Sequence, residues 1–352
     1  MPEITTGKKR VVWIDTLKFI GIYTIYIAHF LDSAGYLYKF ACMYVIQLFF
    51  FVSGFFALKA GKEQSIISYV KKQGKHLLVP YFIFSIVNIG IIVIQENRSV
   101  RDILPLLKQM VYGIRNQLFA PALWFLPCLF IVSILFFVIT KIVKKAGISL
   151  AVSLGIYCLV SNLLPFDATE TPKWIFNIDS ALYYLFFYAL GAFVFPYLEH
   201  LSWNEIKQKT GWPKYLIFIL GAVGGVVIII VSALTFFGRK DYFIIYPVFA
   251  AIPVATWTYP IFIALCIIII QIIIAMWLQR IPYLAILGKH TLAFCGNETI
   301  VKTLVPCIFS LIGLTIQITT PLHAYVYAFI LLIISNYVMI PIEKKLFTKG
   351  IV

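Results

Sequence analysis

Charged side chains are scarce in this sequence. Asp, Glu, Lys and Arg make up 12% of its 352 residues, about half the fraction found in soluble domains. Apolar residues account for 62%, and the mean hydropathy is +0.95. This scarcity of charge excludes a soluble globular domain, because the apolar side chains would have no polar surface to cover them. The composition instead predicts a protein that crosses the lipid bilayer several times.

Acidic residues and paired cysteines are also lacking. The 14 Asp and Glu residues are outnumbered by 29 Lys and Arg, which leaves a formal net charge of +15. The basic residues lie in short clusters between apolar runs, so they indicate orientation in a membrane rather than binding to nucleic acid. Six cysteines are dispersed without CxxC or another metal-ligand spacing, which predicts neither disulfides nor a metal site.

Long apolar runs make up most of the chain. A bilayer core about 30 Å thick requires roughly 20 apolar residues in each spanning helix. Such runs predict an all-α, polytopic membrane helical bundle of about ten transmembrane helices, forming a single domain over residues 1–352. The expected spans are 12–31, 39–59, 76–95, 121–141, 146–164, 180–198, 215–237, 259–279, 288–314 and 323–343. Residues 243–259 are predicted to form a re-entrant or interfacial loop, because Pro247 and Pro253 each remove a helical hydrogen bond.

Basic loops alternate with mixed or acidic ones along the chain. Lysines and arginines cluster before the first span, between the second and third, after the fourth, after the sixth and at the C-terminal end. The loop from Phe166 to Asp179 is acidic by comparison. Because basic loops face the cytoplasm, we expect both termini to be cytoplasmic and the number of spans to be even.

Three titratable residues, Asp15, Lys18 and His29, lie in or beside the first apolar run. At about 100° per residue, the eleven positions from Lys18 to His29 bring both onto one helix face, with Asp15 close to it. A charge at mid-membrane costs at least about 2.5 kcal/mol, which favours a protein interior or an aqueous cavity beside this face. Alternatively, Asp15 and Lys18 form an interfacial ion pair while His29 reaches towards the outer surface.

Several segments carry a family resemblance. In chain order they are "WIDTLKFIGIYTIYIAHF", the nearby "QLFFFVSGFFALKAG", "YVKKQGKHLLVPYFIF", "ALWFLPCLF", "IDSALYYLFFYALGAFV" and "LGKHTLAFCGNETI". Together they resemble the membrane acyltransferase type 3 family, whose many-helix members transfer acyl groups, mostly acetyl, to sugars and related acceptors. The resemblance spans most of the chain and implies an integral membrane sugar O-acyltransferase.

The most specific element of this resemblance is a basic residue, ten intervening positions and a histidine, here Lys18 and His29. It implies that His29 is the catalytic base, that Lys18 assists in handling the acyl donor, and that Asp15 is the acidic residue preceding the pair. Histidine, with an ordinary pKa of about 6.5, accepts a hydroxyl proton at neutral pH. The chain departs from the family at Cys295, where an aromatic residue is usual, and at Glu298, near which a histidine is common.

Candidate substrate-binding residues are Ser53, Arg115, Trp124, Glu298 and Lys302. Ser53 is either an acyl-accepting nucleophile or a small residue that lets helices approach closely. Arg115 and Trp124 are candidates for binding an anionic glycan or lipid-linked sugar, with a solvated loop as the alternative. Glu298 and Lys302 are spaced i and i+4, so we expect an ion pair, which would either be structural or line an acceptor cavity.

A basic loop contains Lys71, Lys72 and Lys75, which are candidates for binding the phosphates of coenzyme A. The alternative is that these lysines only set the orientation in the membrane. The sequence predicts an O-acetyltransferase of a bacterial plasma membrane that takes acetyl from cytosolic acetyl-CoA. We expect its acceptor to be a sugar hydroxyl of a cell-surface glycan or lipid-linked precursor. The rival is a transporter or flippase for a glycan or lipid, which inverted repeats with broken helices would favour.

The alternation of loops predicts opposite sides of the membrane for Lys72 and Glu170. In an otherwise cysteine-free variant, Lys72→Cys should be protected from an impermeant thiol reagent in intact cells, whereas Glu170→Cys should react. Permeabilised cells are the control, since both cysteines should then be labelled. Labelling of Lys72→Cys alone in intact cells would reverse the predicted orientation.

Overall fold

The structure, a computed structural model, describes residues 10–60, 64–199 and 253–346. Its regular secondary structure in these ranges is helical. The main helices are α1 Val12–Ala28, α2 Tyr36–Cys42, α3 Val45–Gly54, α4 Ile66–Gln95, α5 Val100–Tyr112, α6 Phe125–Val143, α7 Ala146–Leu163, α8 Ile178–Leu198, α9 Pro253–Leu278, α10 Pro282–Gly288, α11 Thr291–Leu311, α12 Pro321–Ile334 and α13 Ile340–Leu346. A π-helical turn, Gly74–Leu78, interrupts α4, and a second one, Ser335–Met339, joins α12 to α13.

Eight helical segments in the described ranges are long and apolar enough to cross a membrane. They are Tyr36–Gly54, Ile66–Gln95, Phe125–Val143, Ala146–Leu163, Ile175–Leu198, Pro260–Leu278, Thr291–Leu311 and Pro321–Lys345. Helix α1 has 17 residues, at the lower end of the length that spans a bilayer. The all-α, multi-pass architecture is therefore confirmed. The span expected at residues 215–237 lies outside the described residues, so the number ten stays a prediction, as does the cytoplasmic location of the termini.

Helix α9 begins at Pro253, inside the segment predicted to be a loop. Proline at the first position of a helix sacrifices no hydrogen bond, because the N–H there has no intrahelical partner, and its fixed φ suits a helix. The prediction of a re-entrant or interfacial loop is therefore wrong from residue 253 onward. Residues 243–252 lie outside the described part of the chain.

Helix α1 lies at the centre of the bundle, where it packs against α2, α3, α9, α10, α11 and α12. Its side chains Trp13, Leu17, Tyr26 and Ile27 are all buried. A helix enclosed by others is apolar on every side, which explains the continuous hydrophobicity of the first apolar run. The carboxylate of Asp15, in the first turn of α1, is buried in the protein as well.

Two glycines bring α3 and α8 into close contact. A Cβ atom at Gly54 would collide with the carbonyl of Tyr188, and one at Gly191 would collide with the carbonyl of Phe51. Small residues let membrane helices approach closely enough for extensive van der Waals contact. Gly54, the neighbour of Ser53, makes one such close contact, and the packing role of Ser53 itself stays a prediction.

Gly288, the last residue of α10, similarly lets α10 pack closely against α1. A Cβ atom at this position would overlap the carbonyl of Asp15 and crowd the backbone nitrogen of Phe19. The contact fixes the backbone of α1 beside Asp15 and Lys18. Gly155 on α7, by contrast, has no atom of the described residues within 4 Å of the place where a Cβ atom would lie.

Gly288→Ala should lower the stability of the protein by about 1–3 kcal/mol, because the new methyl group overpacks the contact between α10 and α1. Gly155→Ala is the matched control and should be neutral or slightly stabilising, because alanine favours a helix interior. Thermal unfolding of both variants in detergent checks the prediction. Equal unfolding temperatures would show that the close approach at Gly288 is not required.

Candidate active site

A cavity of about 820 Å³ lies along one side of α1. Its wall includes Lys18, Ile22 and Ile25 of α1 and His29, which directly follows that helix. The helical spacing that puts Lys18 and His29 on one face thus also puts them beside one cavity. Their separation along the axis is about 16 Å at 1.5 Å per residue.

Other helices contribute further sequence candidates to this wall. Ser53 from α3, Arg115 from the segment before α6, and Trp124 at the start of α6 all line the cavity, as does His76 from α4. The remaining candidates are not among the lining residues. Asp15, Glu298 and Lys302 lie behind the wall, whereas Lys71, Lys72 and Lys75 lie on α4 outside it.

His29 is held by a carboxylate from a distant part of the chain. It directly follows α1, and its Nδ1 lies 2.6 Å from Oε1 of Glu298 on α11. The Glu298 side chain is only 3% exposed, whereas that of His29 is 32% exposed. Because a carboxylate oxygen accepts hydrogen bonds, this short contact is assigned as a hydrogen bond that Nδ1–H donates to Glu298. Nε2 is then the nitrogen available to a ligand in the cavity.

Lys302 completes this cluster. Its Nζ lies 2.6 Å from the same Oε1 of Glu298, donates to the carbonyl of Tyr26 at 3.3 Å, and lies 4.4 Å from the centre of the Phe30 ring. The ion pair expected from the i and i+4 spacing is therefore present. The contact between Glu298 and His29 was not predicted, and no local sequence signal connects two residues 269 positions apart.

The charges of this cluster suit a group that gains and loses a proton. The ammonium of Lys302 compensates the Glu298 carboxylate while His29 is neutral. When His29 becomes protonated, the carboxylate is in direct contact with the new imidazolium charge, and a buried contact of this kind is much stronger than one in water. With His29 protonated, the cluster holds two cations and one carboxylate, and the carboxylate in direct contact with both of them lowers the cost of the extra positive charge.

A second charged cluster lies near the other end of α1. The Asp15 carboxylate, 5% exposed, contacts Arg10 through two bonds, Nε to Oδ2 at 2.5 Å and Nη2 to Oδ1 at 3.1 Å. Lys18 is more distant, with Nζ 3.8 Å from Oδ1. Sequence reasoning missed Arg10 as the partner of Asp15, because a basic residue before the first span is typical of membrane orientation.

An aromatic and cationic surface lies in another part of the wall. The guanidinium of Arg115 lies 4.8 Å from the centre of the Trp124 ring. Arg115 also donates from Nη1 to the carbonyl of Thr169 and from its backbone nitrogen to Oδ1 of Asn177, the latter at 2.8 Å. These bonds hold the guanidinium in place over the indole, and Glu170 lines the cavity nearby. An aromatic face beside polar groups suits a ligand with both apolar and hydroxyl surfaces.

Comparison with known families supplies independent information. A family model described as an acyltransferase domain matches residues 11–339, which include α1 and α11 and the members of both charged clusters other than Arg10. No curated protein and no solved structure matches the chain significantly.

The buried pair of Glu298 and Lys302 should be far more sensitive to substitution than a surface pair. Lys302→Met should cost about 3–5 kcal/mol of stability, because it leaves a buried carboxylate without its ammonium partner. The double variant Lys302→Met/Glu298→Gln should recover much of that loss, since both charges are then removed. Arg98→Met is the control: Arg98 and Glu96 also meet at 2.6 Å, but both are partly exposed, so the cost should be at most about 1 kcal/mol.

Thermal unfolding in detergent measures all three variants. A shift for Lys302→Met no larger than that for Arg98→Met would contradict the burial of an essential ion pair.

Proposed function

Because the chain belongs to the acyltransferase 3 family and is therefore a multi-pass membrane acyltransferase, we propose that it is an O-acetyltransferase. Its donor is acetyl-coenzyme A, and its acceptor is a sugar hydroxyl of a cell-surface glycan or lipid-linked precursor at a bacterial plasma membrane. The observation that carries the proposal is the position of His29, which lines the large cavity and is held through Nδ1 by Glu298.

In this mechanism His29 acts as the general base. Nε2 accepts the proton of the acceptor hydroxyl while the hydroxyl oxygen attacks the carbonyl carbon of the thioester. The resulting tetrahedral intermediate collapses, the carbon–sulfur bond breaks, and the departing thiolate takes the proton from the imidazolium. The products are the acetyl ester and free coenzyme A, and His29 returns to its neutral state.

Glu298 has the role of a positioning residue. Its bond to Nδ1 fixes the tautomer and ring orientation that present Nε2 to the acceptor, and its charge stabilises the imidazolium formed during attack. Lys302 holds the carboxylate in place from the next turn of α11. The substrate-binding role considered for Glu298 and Lys302 is less compatible with their location behind the cavity wall.

Distance separates the roles of Lys18 and His29. Because the two are about 16 Å apart along α1, Lys18 does not contact the carbonyl that reacts beside His29. We assign Lys18 to an anionic part of the donor remote from the thioester, which the extended pantetheine arm of coenzyme A makes possible. Lys71, Lys72 and Lys75, which lie outside the wall, attract the polyanionic donor to the cavity at long range.

The acceptor is assigned to the region of Arg115 and Trp124. The indole offers an apolar face to a sugar ring, and the fixed guanidinium beside it binds hydroxyl or anionic groups. Direct transfer between donor and acceptor requires no acyl-enzyme, so Ser53 serves as a wall residue rather than a nucleophile. With α1 directed from the cytoplasm outward, the donor enters at the Lys18 end and the acceptor at the Arg115 end.

Loss of the gene should remove O-acetyl methyl signals from the proton NMR spectrum of the surface glycan, and re-expression of the native protein should restore them. His29→Ala should fail to restore them, because the loss of a general base typically lowers the rate about 100- to 10,000-fold. Glu298→Gln should be strongly impaired, since the imidazole loses its charged partner.

His323→Ala is the matched control, because this histidine is exposed at the start of α12. It should restore acetylation fully at equal protein level. Normal acetylation by a well-expressed His29→Ala variant would refute the mechanism, and an unchanged glycan after gene loss would refute the assignment of the acceptor.

A further inference from the structure

We propose that Arg10 is a positioning residue that keeps the ammonium of Lys18 free for the acyl donor. The inference rests on the proposed function in one respect, the assignment of Lys18 to the donor. Its geometric part, the competition of two cations for Asp15, stands without that assignment. No feature of the sequence distinguishes Arg10 from the lysines immediately before it.

The distances show that the Asp15 carboxylate contacts Arg10 more closely than Lys18. Arg10 reaches both carboxylate oxygens, at 2.5 Å and 3.1 Å. Lys18 reaches only one of them, and at 3.8 Å it is beyond hydrogen-bonding distance. A planar guanidinium matches the two oxygens of a carboxylate better than an ammonium does. Arg10 therefore occupies the acceptor sites that Lys18 would otherwise use.

The position of Lys18 follows from these distances. Its side chain is 29% exposed, and it lines the cavity although it is only three residues from a buried carboxylate. An ammonium in full contact with Asp15 would be neutralised and turned away from the cavity. Arg10, whose own side chain is 59% exposed, neutralises the Asp15 carboxylate from the protein surface. The positive charge of Lys18 is therefore not balanced by Asp15.

Without Arg10, a direct ion pair between Asp15 and Lys18 is strongly favoured. A buried carboxylate without a partner costs several kcal/mol, and Gly288 packs against the Asp15 backbone, so α1 has little freedom to move the carboxylate into water. His290 also lies near Asp15. Burial, together with Lys344, Lys289 and Arg10, lowers the pKa of His290, so in the native protein this neighbour does not supply the positive charge that Arg10 brings to Asp15.

Chemical labelling tests the geometry without requiring enzymatic activity. Purified protein in detergent is treated with an amine-reactive acetylating reagent, and labelling at Lys18 is quantified by mass spectrometry. Arg10→Gln should decrease this labelling several-fold, because Lys18 turns to Asp15. Arg10→Gln/Asp15→Asn should restore it, because the carboxylate that captures Lys18 is gone. Lys9→Gln, which removes one charge from the same segment, should have no effect.

Kinetics tests the connection to the donor. Arg10→Gln should raise KM for acetyl-CoA about tenfold, equivalent to about 1.4 kcal/mol of binding, with little change in kcat. The double variant should return KM towards the native value, whereas Arg10→Lys should be intermediate. A purely structural role of Arg10 predicts no rescue, because the double variant lacks the ion pair altogether.

The outcomes separate the inference from the proposed function. Unchanged labelling of Lys18 in Arg10→Gln, or a loss that Asp15→Asn fails to reverse, overturns the positioning role. If labelling behaves as expected in both variants but Arg10→Gln leaves KM for acetyl-CoA unchanged, the connection to the donor is overturned. Absence of acetyl transfer by the native protein refutes the proposed function instead and leaves the labelling result intact.

Discussion

The site depends on one oxygen atom, Oε1 of Glu298, which contacts both His29 and Lys302 at 2.6 Å. The carboxylate is buried, so its charge is tolerated only because both partners are in place. The contact with His29 joins the end of α1 to the middle of α11, and Lys302 strengthens the junction through the carbonyl of Tyr26. The histidine that faces the cavity is thereby fixed by the same interaction that holds two central helices together.

The location of α1 restricts where its polar side chains can find partners. Because six other helices of the described ranges enclose this helix, its few polar side chains must find partners inside the protein or in the cavity. Asp15 is satisfied by Arg10 and His29 by Glu298, while Lys18 remains in the cavity wall. Both ends of α1 therefore combine a buried carboxylate with a cavity-facing basic group, and the His29 end supplies an imidazole, the side chain suited to taking a proton at neutral pH.

Sequence reasoning succeeded where the relevant physics is local. Hydrophobic run length predicted the helical membrane architecture, and helical periodicity related Lys18 to His29 and Glu298 to Lys302. It failed at Pro253, where the effect of proline depends on its position in the helix. It also missed the contacts of His29 with Glu298 and of Arg10 with Asp15. The first joins residues 269 positions apart, and the second involves an arginine whose position suits membrane orientation equally well.

The apolar section of the cavity has a consequence for the passage of ions. A cavity of this size in a membrane protein would make the bilayer leaky if water and ions passed through it freely. Between Lys18 and His29, α1 contributes Ile22 and Ile25 to the wall, and Phe49 and Val52 of α3 line it as well. Such side chains do not solvate an ion, and hydrophobic constrictions block conduction by excluding water. The same residues that line the cavity therefore oppose the leakage of ions along it.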